Sequence, residues 1–244
     1  MSLISDIMSP KKRLKSPLRV SPQSTPTISK SARTRASILN AALDFVWSQP
    51  FREMTVTSLM ASTEVGRSAF YKYFTGLEEV MEALLDMVRG EIFDVAKPWL
   101  EGVGDPLALL QETLAGLVHV CYERGPFLRA FTDAAASDRR FEKTWKQFLA
   151  GFDDAGRARI EADQAQGLIA DFAARPVAIA LNRLNAYTFI QAFGERPRSR
   201  PEPVLQALAR IWVSTLYGAD RLGKKSSTLV RTGAANLERG KQDE

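Results

Sequence analysis

The segment Thr55-Val56-Thr57-Ser58-Leu59-Met60-Ala61-Ser62-Thr63-Glu64-Val65-Gly66-Arg67-Ser68-Ala69-Phe70-Tyr71-Lys72-Tyr73-Phe74 divides into two short helices around a tight turn. Thr55 is an N-cap for a helix that starts at Val56, because its hydroxyl can accept from an orphan N–H of the first turn. Leu59 and Met60 give that helix an apolar side. The turn is Thr63–Gly66, and a second helix is expected from Arg67 to Tyr73. It presents Arg67, Ser68, Tyr71, Lys72 and Tyr73 within two turns, a set suited to phosphate and base-edge contact. In a helix-turn-helix the second helix enters the DNA major groove with its N-terminal residues on the bases. Arg67 stands at that end and can reach guanine O6 and N7. Outside this motif the same residues would read as a solvated face. Phe70 and Phe74 are expected to pack the small core, while Tyr71 and Tyr73 suit either role.

Working outward, a helix is expected from Ser31 to Ser48, with Ile38, Leu39, Ala42, Phe45 and Val46 at helical spacing, ended by Pro50. After the recognition helix, Thr75-Gly76-Leu77-Glu78 reads as a capping box that opens a helix at Gly76. That helix continues through Val80, Leu84, Leu85, Val88 and Ile92 toward Pro98. Asp105-Pro106 opens the next, with Pro at its first position, and Gly125-Pro126 ends it. A shorter helix covers Phe127–Ala136. Asp138 caps a long one ending near Gly167, Pro176 opens another to Phe193, and Glu202 to Tyr217 forms the last. No strand pattern and no internal repeat is present. The expected fold is all-α, with a three-helix DNA-binding domain over 30–75 and a six-helix body over 76–220.

Charge and composition narrow the function. The chain has 244 residues and a net charge of +5. Residues 1–36 carry Lys11, Lys12, Arg13, Lys15, Arg19, Lys30, Arg33 and Arg35 against Asp6 alone, and the span 37–220 is net acidic. Residues 1–29, rich in Ser, Pro, Lys and Arg, read as a disordered arm, and 221–244 as a flexible tail. A basic arm binds phosphate non-specifically with a steep salt dependence. A solvated tail with no partner is the alternative. One cysteine, Cys121, rules out an internal disulfide, and with one histidine, His119, a structural zinc site is not expected. Both are read as packing residues. No apolar run approaches the ~20 residues that span a bilayer, and no signal peptide is evident, so a cytoplasmic location and no membrane partner are expected. No Ser/His/Asp or Cys/His set is supported and Asp153-Asp154 lacks an acid-base context, so neither an enzyme nor a cofactor is expected.

The pattern from Ile38 to Leu84 resembles the DNA-binding domain of the TetR family of transcriptional regulators. The matching elements are Phe45-Val46, Thr55-Val56, Val65 and the string Phe70-Tyr71-Lys72-Tyr73-Phe74. Three strings of the C-terminal half, Ala180–Asn185, Ala192–Pro197 and Ile211–Gly218, resemble the EthR-like repressors within that family. The resemblances together span roughly residues 36–220. They imply a homodimer joined through the last two helices, a palindromic double-stranded DNA operator, and release by a small, mostly apolar effector. An activator of the same fold, or a non-specific DNA-binding protein, is the alternative. The DNA-contacting residues implied are Thr57, Gly66, Arg67, Ser68, Tyr71, Lys72 and Tyr73. Several family phosphate contacts are absent: Gly66 stands for the usual Ser, Ala69 for Thr, and Leu77 for Lys. The basic arm is expected to compensate.

Asn182 and Asn185 are three apart and share one face of an otherwise apolar helix. Buried amides need partners, which a ligand or a helix–helix seam can supply. The resemblance favours a ligand pocket, and it places Leu110, Thr113, Leu117, Leu149, Phe152, Ile190 and Trp212 around the same cavity. Without it, these residues read as plain core. Leu110 and Phe152 stand where the resembled repressors carry Trp, and Ala186 where they carry an acid, so a cavity of different shape with thinner polar recognition is expected.

Overall fold

The computed structural model describes residues 29–63 and 65–218. The arm expected over 1–29, apart from Ser29, and the tail expected over 221–244 lie outside the described residues. The elements in chain order are α1 (Lys30–Ser48), a 3-10 turn (Phe51–Glu53), α2 (Val56–Ala61), α3 (Arg67–Phe70), α4 (Leu77–Glu101), α5 (Pro106–Ala135), α6 (Arg139–Ala165), α7 (Ala174–Phe193) and α8 (Pro201–Tyr217). No strand occurs among the described residues.

Short polar side chains start four of the eight α-helices among the described residues by serving orphan N–H groups. Ser29 accepts from Ala32 N–H, Asp105 from Leu107 N–H and Asp138 from Arg140 N–H. At α2, Thr55 and Ser58 cap each other reciprocally. The capping box expected at Thr75 is displaced by one residue. Thr75 N–H and Oγ1–H both donate to the Glu79 carboxylate, at 2.7 and 2.8 Å, and α4 starts at Leu77 with Gly76 as its cap. These bonds hold the Glu79 carboxyl below its ordinary pKa.

Two prolines expected to end helices lie inside them. α4 runs past Pro98 to Glu101, and beside the proline the Trp99 N–H donates to Thr113 Oγ1 of α5 at 3.1 Å. α5 runs 30 residues through Gly125-Pro126, merging the two helices expected there. The body therefore has five helices, α4–α8, where six were expected. Pro126 has no N–H to give the Tyr122 carbonyl, and the Arg198 guanidinium supplies the missing donor at 2.6 Å. The regular part of the recognition helix stops at Phe70. Residues 71–73 continue as a turn, with Lys72 N–H donating to Ala69 O and Tyr73 N–H to Phe70 O. α7 begins at Ala174, before Pro176.

One buried cluster runs through the whole DNA-binding end and into the body. It joins Ile38, Leu59, Phe70 and Phe74 to Val80, Met81 and Leu84 of α4 and to Phe127 and Phe131 of α5. A second cluster, with Trp99, Leu110, Ile160, Trp212 and Tyr217, closes the far end. α4 belongs to both, so one helix spans from the helix-turn-helix to the opposite pole.

Candidate functional site

The helix-turn-helix is built from the inside. Leu59, Met60, Phe70 and Phe74 are buried and form the inner side of the segment. Thr57, Gly66, Arg67, Ser68, Tyr71 and Lys72 are exposed, and Tyr73 is half-buried. Tyr71 is 55% exposed although its ring packs edge-on against Phe70 at 5.3 Å, leaving its remaining surface to solvent. The turn is fixed by Thr63, whose hydroxyl donates to Met60 O at 2.9 Å. Arg35 of α1 lies over the Phe74 ring at 5.1 Å, which ties a basic side chain to the same small core. α3 has no side-chain cap, as Gly66 requires.

The body encloses an apolar cavity of about 90 Å³. Leu110, Thr113, Leu117, Leu149, Phe152, Asn182, Asn185, Ile190 and Trp212 all line it. The sequence reading missed the α4 wall, made by Ile92, Ala96, Trp99 and Leu100, and the aromatic side of α6, made by Trp145 and Phe148. Both carry apolar stripes at helical spacing, which are indistinguishable from core in sequence. Phe152 is braced from outside, stacked on Phe93 at 4.5 Å.

The few polar groups in the lining are mostly engaged. Thr113 Oγ1 accepts from Trp99 N–H and donates to Ala96 O at 3.4 Å, so this hydroxyl braces α4. Asn182 Nδ2 donates to Asp153 Oδ1 at 3.2 Å, and Arg183 forks onto the same carboxylate at 2.8 and 3.1 Å. Asn185 Oδ1 accepts from Trp212 Nε1 at 2.9 Å. The Asn185 amide nitrogen makes no hydrogen bond among the described residues, so one donor remains in an apolar wall. Cys121 also lines the cavity, and burial pushes its thiol pKa far up, which makes it an inert packing group. His119 does not share that role: it is exposed on α5, so the expectation that it packs is corrected.

Beyond Trp99 the cavity closes on a buried polar chain. Trp99 Nε1 donates to Tyr217 Oη at 3.0 Å, and Tyr217 Oη–H donates to Asp163 Oδ2 at 2.8 Å. Arg159 Nε stands 2.9 Å from Asp163 Oδ1 at an angle too bent for a hydrogen bond, so that contact is an ion pair. Arg159 also donates to Gly102 O at 3.1 Å. Burial is the main cause that raises the Tyr217 hydroxyl pKa, so the phenol stays a neutral donor. The chain ties the end of α4 to α6 and α8. No group of His, Cys, Asp and Glu able to hold a metal occurs among the described residues, and none of their helices is long and apolar enough to cross a membrane.

Comparison with known proteins agrees with this architecture. Residues 110–218 match the family model described as the C-terminal domain of the transcriptional regulator EthR. The chain is 28% identical over 209 residues to the HTH-type transcriptional regulator EthR of Mycolicibacterium smegmatis, covering 82% of this chain and 95% of that one. Against EthR of Mycobacterium tuberculosis the identity is 28% over 192 residues, covering 76% and 88%. Among solved structures, a TetR-family regulator from Syntrophomonas wolfei superposes with a TM-score of 0.66 at 18% identity, covering 75% of this chain and 94% of that one. That last likeness speaks for the fold alone. Fold, family model and relatives point the same way: the chain is similar to TetR-family transcriptional regulators, and among them to EthR.

Proposed function

We propose that this protein is a dimeric repressor that binds a palindromic operator and is released by a small, mostly apolar effector. The observation that carries the reading is the double membership of α4. Its first half, with Val80, Met81 and Leu84, belongs to the core of the DNA-binding end, and its second half, with Ile92, Ala96 and Trp99, walls the cavity. Anything that spreads the cavity therefore moves the helix on which the helix-turn-helix rests. The cavity is narrower than the ~300–1,000 Å³ of ordinary ligand pockets, so an effector of that size has to part its helices. That gives it a differential affinity for two states, which is the requirement for control.

Arg67, Ser68, Tyr71, Lys72 and Tyr73 are assigned to DNA, with Thr57 and the Gly66 end of α3 on the backbone. Asn185 is assigned to orient a ligand carbonyl or ether through its amide nitrogen. The dimer interface is assigned to α7 and α8. Two of the four large exposed apolar side chains among the described residues, Tyr187 and Ile211, lie on these helices at 68% and 38% exposure. Pairing them with a second copy makes a four-helix bundle and gives two recognition helices for two half-sites. Tyr187→Glu with Ile211→Asp is expected to give monomers by light scattering and to lose operator binding, with helical content unchanged. Dimers of undiminished affinity would remove α7 and α8 from the interface. The effector reading is tested by titrating straight-chain alcohols into the protein–operator complex while following tryptophan emission. Trp99, Trp145 and Trp212 line the cavity and report its occupancy. Release of DNA in step with the emission change is expected; emission change without release would separate the cavity from control.

A further inference from the structure

Arg198 lies in the turn between α7 and α8, yet its contacts reach two other helices. Its guanidinium carbon is 3.7 Å from the centroid of Tyr122 on α5 and 4.7 Å from that of Trp47 on α1. Arg196 of the same turn adds a second contact to Trp47 at 4.9 Å. Arg198 also donates to the Tyr122 carbonyl, the one that Pro126 leaves without an intrahelical donor. One guanidinium thus repairs the break in α5 and joins α5 to the DNA-binding end. The turn itself is anchored to the body. Ser199 N–H donates to Ala192 O at 2.8 Å, and Glu195 pairs with Arg129 at 2.9 Å.

Behind Tyr122 lies the cavity wall. Tyr122 follows Cys121, which lines the cavity, and its ring meets Phe193 edge-on at 5.3 Å. Phe193 stacks in turn on Phe189, another lining residue, at 6.1 Å. Gly125 removes the slack between these helices, since a Cβ there would fall 2.3 Å from the Phe193 carbonyl oxygen. A packed chain therefore runs from the cavity through Phe193 and Tyr122 to Arg198, and on to Trp47 in the last turn of α1.

We infer that the α7–α8 turn is a second connection between cavity and DNA-binding domain, parallel to α4, with Arg198 as the positioning residue that holds α1 against the body. Its transmitting half rests on the effector reading above; its holding half does not. A planar guanidinium suits the place because it stacks on rings and donates in plane at once, which an ammonium does less well.

The test uses the full chain with spin labels on Ala61→Cys of α2 and Gln147→Cys of α6, both exposed positions. Cys121 is the sole cysteine of the sequence and is buried, so the labels go to the introduced thiols. Labelled chain diluted with unlabelled chain reports the distance within one protomer. The native protein is expected to give one narrow distance. Arg198→Met, which keeps bulk and loses charge and donors, is expected to broaden it, with Arg198→Lys in between. Trp47→Phe, which leaves the Arg198–Tyr122 contacts in place, is expected to broaden it too and stands in if the first variant folds poorly. Native-like distributions in Arg198→Met and Trp47→Phe would overturn the inference. With 1-octanol as probe, the native chain should show both tryptophan quenching and a distance shift, and Arg198→Met quenching without the shift. Equal shifts in both would overturn the transmitting half. No tryptophan response in the native chain would sink the effector reading and that half with it, while the ligand-free distances still decide the holding role.

Discussion

Gly66 stands where a helix usually draws a capping oxygen, and α3 is the shortest α-helix among the described residues. A Cβ at this position meets nothing within 4 Å, and the backbone φ of −66° is ordinary for any residue. Gly66→Ser should therefore add a cap without strain, worth about a few tenths of a kcal/mol. The measurable outcome is a slightly higher melting temperature with operator affinity equal or tighter; weaker binding would mean that the bare backbone at Gly66 itself meets the DNA. At this scale the sequence was most legible for the cavity. All nine residues that the resemblance places around it line it, while their helical spacing alone reads as plain core. What stayed hidden was the use of each polar group. Thr113 spends its hydroxyl on the α4 backbone, and Asn185 gives its oxygen to Trp212, pairings that depend on which helices meet. Nothing in a sequence without packing separates such a brace from a ligand contact.

Elements were legible where a cap or a period marks them and misleading at the internal prolines. Gly125-Pro126 carries a local stop signal, but tertiary contacts override it. Arg198 serves the orphaned carbonyl, and the glycine lets α5 and α7 meet backbone to backbone. Gly125→Ala should force the two helices apart, at about 1–3 kcal/mol by analogy with overpacked cores, read as a lower urea midpoint; an unchanged midpoint would show that the close approach is dispensable. The link between α4 and α6 makes a pH prediction. Arg140 forks onto Glu82 at 2.6 and 2.8 Å, and this hydrogen bonding holds the Glu82 carboxyl below its ordinary range. A depressed folded value means that the contribution is present above the unfolded carboxylate pKa and fades as pH falls through the folded one. Glu82→Gln should flatten the acid limb of the stability curve. It should cost about 1 kcal/mol or less at neutral pH, because Arg140 is half exposed. An acid limb as steep as the native one would assign that slope to other carboxylates.

At the scale of the whole molecule, one long helix and one turn join the cavity wall to the helix-turn-helix end by direct contacts. The helix-turn-helix was readable from the single segment 55–74, and the all-α architecture from caps and helical periodicity along the rest of the chain. The continuous core was not, because the boundary suggested near residue 75 falls where chain punctuation is strong, while the buried cluster passes straight through α4. Under the proposed function, that continuity is the path by which occupancy of a cavity in the body would govern a distant surface. The central claim is sequence-specific binding through the exposed face of α3. The most direct test is selection of genomic fragments by the purified full chain at near-physiological salt, followed by footprinting of the enriched site, for the native protein and for Arg67→Ala and Tyr71→Ala. The account predicts a palindrome protected on one face of the duplex, with protection lost in both variants. Enrichment of no sequence, or a footprint that survives both substitutions, would contradict it.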